Sequence, residues 1–474
     1  MTSSIVKRCF SSLSPLDPSE NLVSTVVSIL KHHRSKSRWN EIRSLYPAGF
    51  TPSEASQITR RLRNTPHLAL NFFLFTQRNR LCNHTLLSYS TIIHTLSRSR
   101  LKSPALSLIQ SALRQFPDNT SSSTPNAPKI FETLVKTYRE CDSAPFVFDL
   151  LIKACLRSNR VDEAIKIARM LRSRDISPTV STCNSLIRSV ARSCGSHASY
   201  DLYREVFGFN TEIKSEVCRV KVVPNVHTFN IIMLAFYQDG LIKSVREVWG
   251  EMARFDIVEP DAYSYSILMA THCEEGKMEE AVKLWDQMEM KGLKHDVVAY
   301  NTMIDGFCTI GEVGRAEDFF RGMGLNGVES SSVTFEHLIN GYCQNGDVDS
   351  AILLYKDMCS AGLRPEGSII DAIVSRLCSG NRAWQAMEFL TVAVRKYEFA
   401  PKIKSYELII KGLCQEGRIE EALKLQAEMV GRGFGPNLEI YNSFIDAYNQ
   451  QGNAEMAGLL KKEMLETQMP TKEN

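Results

Sequence analysis

Along the stretch Ala262–Asp296, Tyr265, Leu268, Met269 and His272 fall at i, i+3, i+4 and i+7, which is the spacing of one face of a helix. Gly276 then supplies a stop, because glycine adopts the left-handed conformation that ends a helix without strain. Met278, Ala281, Leu284, Trp285 and Met288 resume helical spacing, and Gly292 closes the second helix. The pattern predicts a hairpin of two helices, each of about 14 residues.

The same pattern returns along most of the chain. Cys273, Cys308, Cys343 and Cys378 lie at steps of 35, and Cys414 follows at 36. Gly276, Gly311, Gly346 and Gly417 come three residues after these cysteines, and Ala281, Ala316, Ala351 and Ala422 five residues after the glycines. Met288, Met323, Met358 and Met429 complete the beat. Nine units follow: 145–179, 180–225, 226–261, 262–296, 297–331, 332–366, 367–402, 403–437 and 438–472. The second is the longest and carries extra sequence around Phe207–Arg219. A lone hairpin cannot bury its apolar faces, whereas stacked neighbours can. The expected fold is all-α, a right-handed superhelical solenoid of stacked antiparallel hairpins. Residues 41–144 carry helical spacing without the beat and read as a divergent N-terminal cap, with a loop at 117–128 rich in Pro, Ser, Thr and Asn.

The cysteines themselves admit a chemical reading and a packing one. There are 13, with no Cys-x-x-Cys pair, which excludes a zinc ribbon or a dithiol redox motif. Cysteines one repeat apart would sit roughly 10 Å from one another, the usual interaxial distance, too far to share a metal ion or a disulfide. They read as small buried spacers. Catalytic motifs are missing too: no Walker A loop, no Gly-x-Ser-x-Gly and no His-Glu-x-x-His. Adjacent acids such as Glu279/Glu280 and Glu420/Glu421 diverge by about 100° around a helix and cannot act as a pair. His272 and His337 read as packing residues on helix faces. No metal, cofactor, small-molecule substrate or catalytic residue is expected.

Composition changes the picture mainly at the N-terminus. The 474 residues are 43% hydrophobic and 23% charged, which excludes a disordered or collagenous chain. No apolar run approaches the ~18 residues of a membrane helix. Residues 1–130 hold 17 Lys/Arg and 5 Asp/Glu, a balance of +12; the remaining 39 and 48 give −9, summing to the overall +3. Residues 1–16 are basic, hydroxylated and acid-free, which marks an organellar transit peptide, and residues 1–40 are expected to be leader or disordered chain. Mitochondrion is the expected compartment, with chloroplast the alternative; Arg8-Cys9-Phe10-Ser11-Ser12 resembles a mitochondrial presequence cleavage site.

The string Val297-Val298-Ala299-Tyr300-Asn301-Thr302-Met303-Ile304-Asp305-Gly306-Phe307-Cys308 resembles the opening of a pentatricopeptide repeat. Glu420-Glu421-Ala422-Leu423-Lys424-Leu425 and Gly433-Phe434-Gly435-Pro436-Asn437 are similar to that family's second helix and exit. Uniform units near 35 residues resemble its P class in plant organelles. The resemblance implies a non-catalytic adaptor that binds single-stranded RNA, one base per repeat, and acts in transcript stabilisation, processing, splicing or translation. It also implies that the base readers are the fifth residue of the first helix and the last residue of the repeat, facing an inner groove. These are Asn184/Asn225, Asn230/Asp261, Ser266/Asp296 and Asn301/Ser331, with base clamps at Ser181, His227, Tyr263 and Val298. The implied core is 5′-YUGY-3′, read by repeats 180–331.

Other units depart from the family's pattern. The corresponding pairs are Asp149/Thr179, Glu336/Glu366, Asp371/Lys402, Glu407/Asn437 and Asn442/Lys472, to which no base is assigned. The residue after the recurring cysteine, often basic in this family, is Glu274, Thr309, Gln344, Ser379 or Gln415, with Gln238 and Gln450 in flanking units; Arg157 is the basic exception. A shallow salt dependence is therefore expected. The acidic C-terminal repeats are candidate surfaces for protein partners. A tetratricopeptide-like protein scaffold is the alternative class, and a nuclease acting through clustered acids a third.

Overall fold

The computed structural model describes residues 18–32, 35–116, 127–208, 222–255, 258–397 and 399–468. Among them there are 25 helices and no strand. The chain divides into two compact units, Met1–Val248 and Trp249–Asn474.

The first unit opens with α1 (Pro18–His32), α2 (Ser35–Leu45), α3 (Pro52–Arg61), α4 (Pro66–Arg78), α5 (Leu86–Arg98), α6 (Lys102–Gln115) and α7 (Ala127–Tyr138). It continues with α8 (Val147–Arg157), α9 (Val161–Arg172), α10 (Val180–Cys194), α11 (Ser196–Phe207), α12 (Val226–Gln238) and the start of α13 (Ile242–Met252). Helices α3, α5 and α7 pack side by side, as do α8, α10 and α12. The leader expected to reach residue 40 runs into this fold. Helix α1 packs on α3 with Val23, Val26 and Leu30 wholly buried, because its apolar residues recur at helical spacing despite the surrounding serines. Residues 1–17, with the cleavage-site string, lie outside the described residues, as do 117–126 and 209–221, which hold most of the expected loop and of the extra sequence in the second repeat.

Helix α5 is buried on nearly all sides. Its hydroxyls turn inward to the preceding turn: Thr91 Oγ1 donates to the Leu87 carbonyl at 3.0 Å and Thr95 Oγ1 to Thr91 at 2.9 Å. His94 is fully buried between them. Its Nδ1 lies 2.6 Å from Ser143 Oγ and its Nε2 3.1 Å from the Leu134 carbonyl, so both ring nitrogens are engaged by one neutral tautomer. Burial pushes its pKa down to about 4, and that of His84, stacked on Phe73, likewise to about 4. Both rings must charge in acid, and the unfolded chain binds those protons first. This unit is therefore expected to hold its full stability above pH 6.5 and to lose it progressively as pH falls toward 4. Thermal melts across that window check this; His94→Gln should flatten the dependence.

In the second unit the first helices are α14 (Ala262–Glu274), α16 (Val297–Thr309), α18 (Ser332–Asn345), α20 (Gly367–Ser379), α22 (Ile403–Gln415) and α24 (Leu438–Gln450). Each hairpins with its successor: α15 (Met278–Met290), α17 (Val313–Leu325), α19 (Val348–Ser360), α21 (Ala383–Tyr397), α23 (Ile419–Gly431) and α25 (Ala454–Gln468). First helices stack on first helices along the unit. The turns use glycine where the backbone demands it, as at Gly276 with φ +69°.

Two of the recurring cysteines, Cys273 and Cys308, mark close approaches in this stacking. A methyl placed on Gly341 would fall 2.5 Å from Cys308 Sγ, and one on Gly306 2.6 Å from Cys273 Sγ. Each thiol therefore fills the niche left by a glycine on the next first helix, which lets the helices approach closely. Burial pushes the thiols of Cys155, Cys183, Cys273, Cys308 and Cys414 up to about 12. At pH 8 roughly one in ten thousand is a thiolate, the reactive form. A thiol reagent is expected to label the exposed Cys194 in the folded protein and these five only after denaturation. Mass mapping of modified peptides decides it; rapid native labelling of Cys308 would contradict the packing.

Candidate nucleic-acid interface

The site is built from helix starts. Asn225, Asp261, Asp296, Ser331 and Asn437 are each the residue immediately before a first helix, and each side chain caps it. Asp296 Oδ1 accepts from the Ala299 amide at 2.9 Å, and Asn225 Oδ1 from Thr228 at 3.1 Å. Capping alone favours Asn, Asp and Ser here, so those residue types at the last place of a repeat have a structural cause beside any reading role.

The fifth residue of each first helix carries the more telling geometry. In five repeats it points at the start of the next first helix. Asn184 Nδ2 donates to Asn225 Oδ1 at 3.2 Å, and Asn184 Oδ1 accepts from Thr228 Oγ1 at 2.8 Å. In the second unit Asn301 Oδ1 accepts from Thr334 Oγ1 at 2.7 Å, and Thr334 in turn is held by Ser331. Other repeats show the same convergence: Thr179 Oγ1 donates to Asp149 at 2.9 Å, Lys402 Nζ lies 3.4 Å from Asp371, and Asn437 Nδ2 donates to Glu407. The paired positions expected from the sequence are thus brought together wherever both members lie in one unit and their contact is described. Ser266 is different: its Oγ donates back to the Ala262 carbonyl at 3.0 Å.

Accessibility differs from the expected open row. Asn184, Asn230 and Ser266 are only 4%, 2% and 2% exposed, and Asn301 is half-buried, whereas Asn225 and Asp296 are exposed and Asp261 and Ser331 half-buried. The helical period does not give the depth, which the neighbouring repeat sets. An amide keeps a second N–H and a second lone pair after one bond of each kind, so Asn184 retains donor and acceptor capacity at the floor of the niche. The clamp positions stand proud: Tyr263 is 37% and Val298 44% exposed, and Ser181 and His227 are exposed as well. His227 Nε2 accepts from Arg188 Nη2 at 2.8 Å, a contact the sequence did not disclose.

Sequence reasoning also passed over Arg192. It occupies the same thirteenth place after the cap Thr179 as Arg157 does after residue 144. Among the described residues no group of three His, Cys, Asp or Glu side chains could hold a metal ion, and no helix is long and apolar enough to cross a membrane.

Stacked helical hairpins of this period define a helical-repeat protein. Models described as "PPR repeat family" match residues 224–273, 260–308 and 295–336, and "PPR repeat" models match 146–176, 326–359, 404–434 and 439–467. A pentatricopeptide repeat-containing protein of Arabidopsis thaliana is 54% identical over 458 residues, covering 96% of this chain and 92% of that one. The chain belongs to the pentatricopeptide repeat family. Another Arabidopsis member, named as mitochondrial, is 26% identical over 43% of this chain and 35% of its own length. Among solved structures, the pentatricopeptide repeat protein PPR10 in complex with an 18-nt psaJ RNA element aligns with TM-score 0.52 at 14% identity, covering 95% of this chain and 68% of that one. That likeness is one of fold.

Proposed function

We infer that this protein is a sequence-specific single-stranded RNA-binding adaptor of the P class, without catalytic activity of its own, acting on organellar transcripts. The observation that carries the inference is the convergence of the fifth side chain on the start of the next repeat in five units, with Asn184 and Asn225 at 3.2 Å. Such a pair presents clustered donors and acceptors beside an exposed clamp residue, which suits one base edge per repeat. Support for RNA as the ligand comes from family membership and from the RNA named in the PPR10 complex. The mitochondrial naming of a relative and the acid-free first 16 residues favour a mitochondrial setting over a plastid one.

Repeats 180–331 read 5′-YUGY-3′ in this proposal, through Asn184/Asn225, Asn230/Asp261, Ser266/Asp296 and Asn301/Ser331. Because Asn184, Asn230 and Ser266 are buried, a base must seat deeply beside bonds already made within the protein. Such exchange gives modest net affinity but sharp discrimination, since a mismatched base leaves buried polar groups unpaired. Selection from a randomised single-stranded RNA pool with the purified full chain tests this. Enrichment of YUGY is the expected outcome; a pool without any enriched motif removes the base-reading role.

A second reading, a protein-binding scaffold, is favoured by the acids on the later first helices, Asp305, Glu336, Asp371 and Glu407 among them. It predicts capture of basic peptides that competes with no RNA.

A further inference from the structure

The charge balance of −9 over residues 131–474 conceals a segregation along the first helices. Helices α8, α10 and α12 carry four Lys/Arg (Lys153, Arg157, Arg188 and Arg192) against one acid, Asp149. Asp149 is buried and its carboxylate is taken up by Thr179, whose amide and hydroxyl both lie 2.9 Å from Oδ1. The six first helices of the second unit carry seven acids against Arg376, Lys404 and Lys411.

The four cations share one register. Lys153 and Arg188 stand four residues beyond Asp149 and Asn184, at the fifth place, and Arg157 and Arg192 four beyond those, so each helix bears a stripe running away from its reading position along one face. Helices α8 and α10 pack side by side, which sets the two stripes next to each other. Arg157, Arg188 and Arg192 are exposed and Lys153 half-buried, and none of the four enters an ion pair among the described residues. Both ninth-place cations reach the second residue of the following first helix. Lys153 Nζ donates to Ser181 Oγ at 3.4 Å, and Arg188 Nη2 to His227 Nε2 at 2.8 Å. The guanidinium can only donate, so this bond fixes the imidazole with an unprotonated Nε2 and a set ring plane.

We propose that Lys153 and Arg188 form a phosphodiester anchor on α8 and α10 that holds the RNA strand at the first two repeats. This rests on the RNA-binding reading above and adds where the strand's charge is met. Two adjacent bases stacked at Ser181 and His227 place their connecting phosphate beside Lys153 and Arg188. The acid-rich first helices of the second unit repel phosphate and contribute base contacts only.

The test measures equilibrium binding of the full chain to a single-stranded oligoribonucleotide carrying CUGU in an adenosine background, over a series of KCl concentrations. Single-strand binding loses slope in a log–log salt plot by about 0.7 for each phosphate contact removed. Lys153→Gln and Arg188→Gln are each expected to flatten the slope by about that amount, and the double variant by about twice it. Arg188→Lys should keep the wild-type slope. Lys283→Gln, on α15 and paired with Glu280 at 2.8 Å, should change nothing. Binding with an unaltered slope in the double variant overturns the anchor while leaving base reading intact. No binding by the wild-type chain even at the lowest salt overturns the RNA reading and the anchor with it. Since Arg188 is exposed and Lys153 only half-buried, unchanged helical circular dichroism accompanies the expected result.

Discussion

Replacing Phe307 with alanine is expected to destabilise the second unit by about 3–5 kcal/mol, the usual range for deleting a buried aromatic ring. Phe307 is fully buried in α16 and stacks on Phe319 with ring centroids 5.4 Å apart. Met269, Met303 and Leu338 belong to the same cluster, so the ring binds together three consecutive first helices, α14, α16 and α18. The Arg315 guanidinium lies 4.3 Å from its centroid and covers the outer side. Removing the ring leaves a cavity that helices on both sides border, and neither can close it without breaking its own packing. In a stacked array stability is carried by nearest-neighbour interfaces, so weakening two at once should uncouple the unit. Urea denaturation followed by circular dichroism reads the effect as a fall in midpoint; Phe307→Leu should recover much of it. A loss below about 1 kcal/mol would mean that the cluster is not packed as described.

What the sequence disclosed and what it withheld follow from the physics of each feature. Hairpin boundaries were legible because glycine at φ > 0 and Asn, Asp or Ser at a cap are chemical requirements of helix ends, as at Gly276 and Asp296. The spacer role of the cysteines followed from their period, and the Cys308–Gly341 contact supplies its cause. Helix α1 was obscured by a serine-rich surround that also suits a leader. Helix α5 hides its burial behind Ser88, Ser90, Thr91, Thr95 and Ser97: the Thr91 and Thr95 hydroxyls bond back to their own helix, and Ser88 and Ser90 bond to Pro52 and Thr137, so they enter a core that a hydrophobic pattern calls surface. At the site the depth of burial was not legible, because the neighbouring repeat sets it. Arg188 and His227 are 39 residues apart and meet only through the stacking of α10 and α12.

Exchanging Ser266 for asparagine is expected to move the preference of its repeat from guanine to uracil, by about 1–3 kcal/mol or roughly 5- to 150-fold in relative affinity. In the native pair the Ser266 hydroxyl spends its proton on the Ala262 carbonyl at 3.0 Å, leaving lone pairs to offer. The Asp296 carboxylate can only accept, and one of its oxygens already caps α16. Two acceptors match the adjacent N–H groups on guanine's pairing edge and leave adenine, with a single donor group, half satisfied. Asparagine instead brings one donor and one acceptor, which complement the carbonyl and N–H of uracil, and it recreates the Asn230/Asp261 combination proposed to read U. The niche has room for an amide in kind: Asn184 sits at the same place in its own repeat, 4% exposed, with one bond donated and one accepted. Binding of wild type and variant to oligoribonucleotides differing only at the third base of YUGY gives the ratio directly. An S266N protein that weakens on every RNA alike would mark the position as packing, and one that still prefers guanine would place the reading group elsewhere.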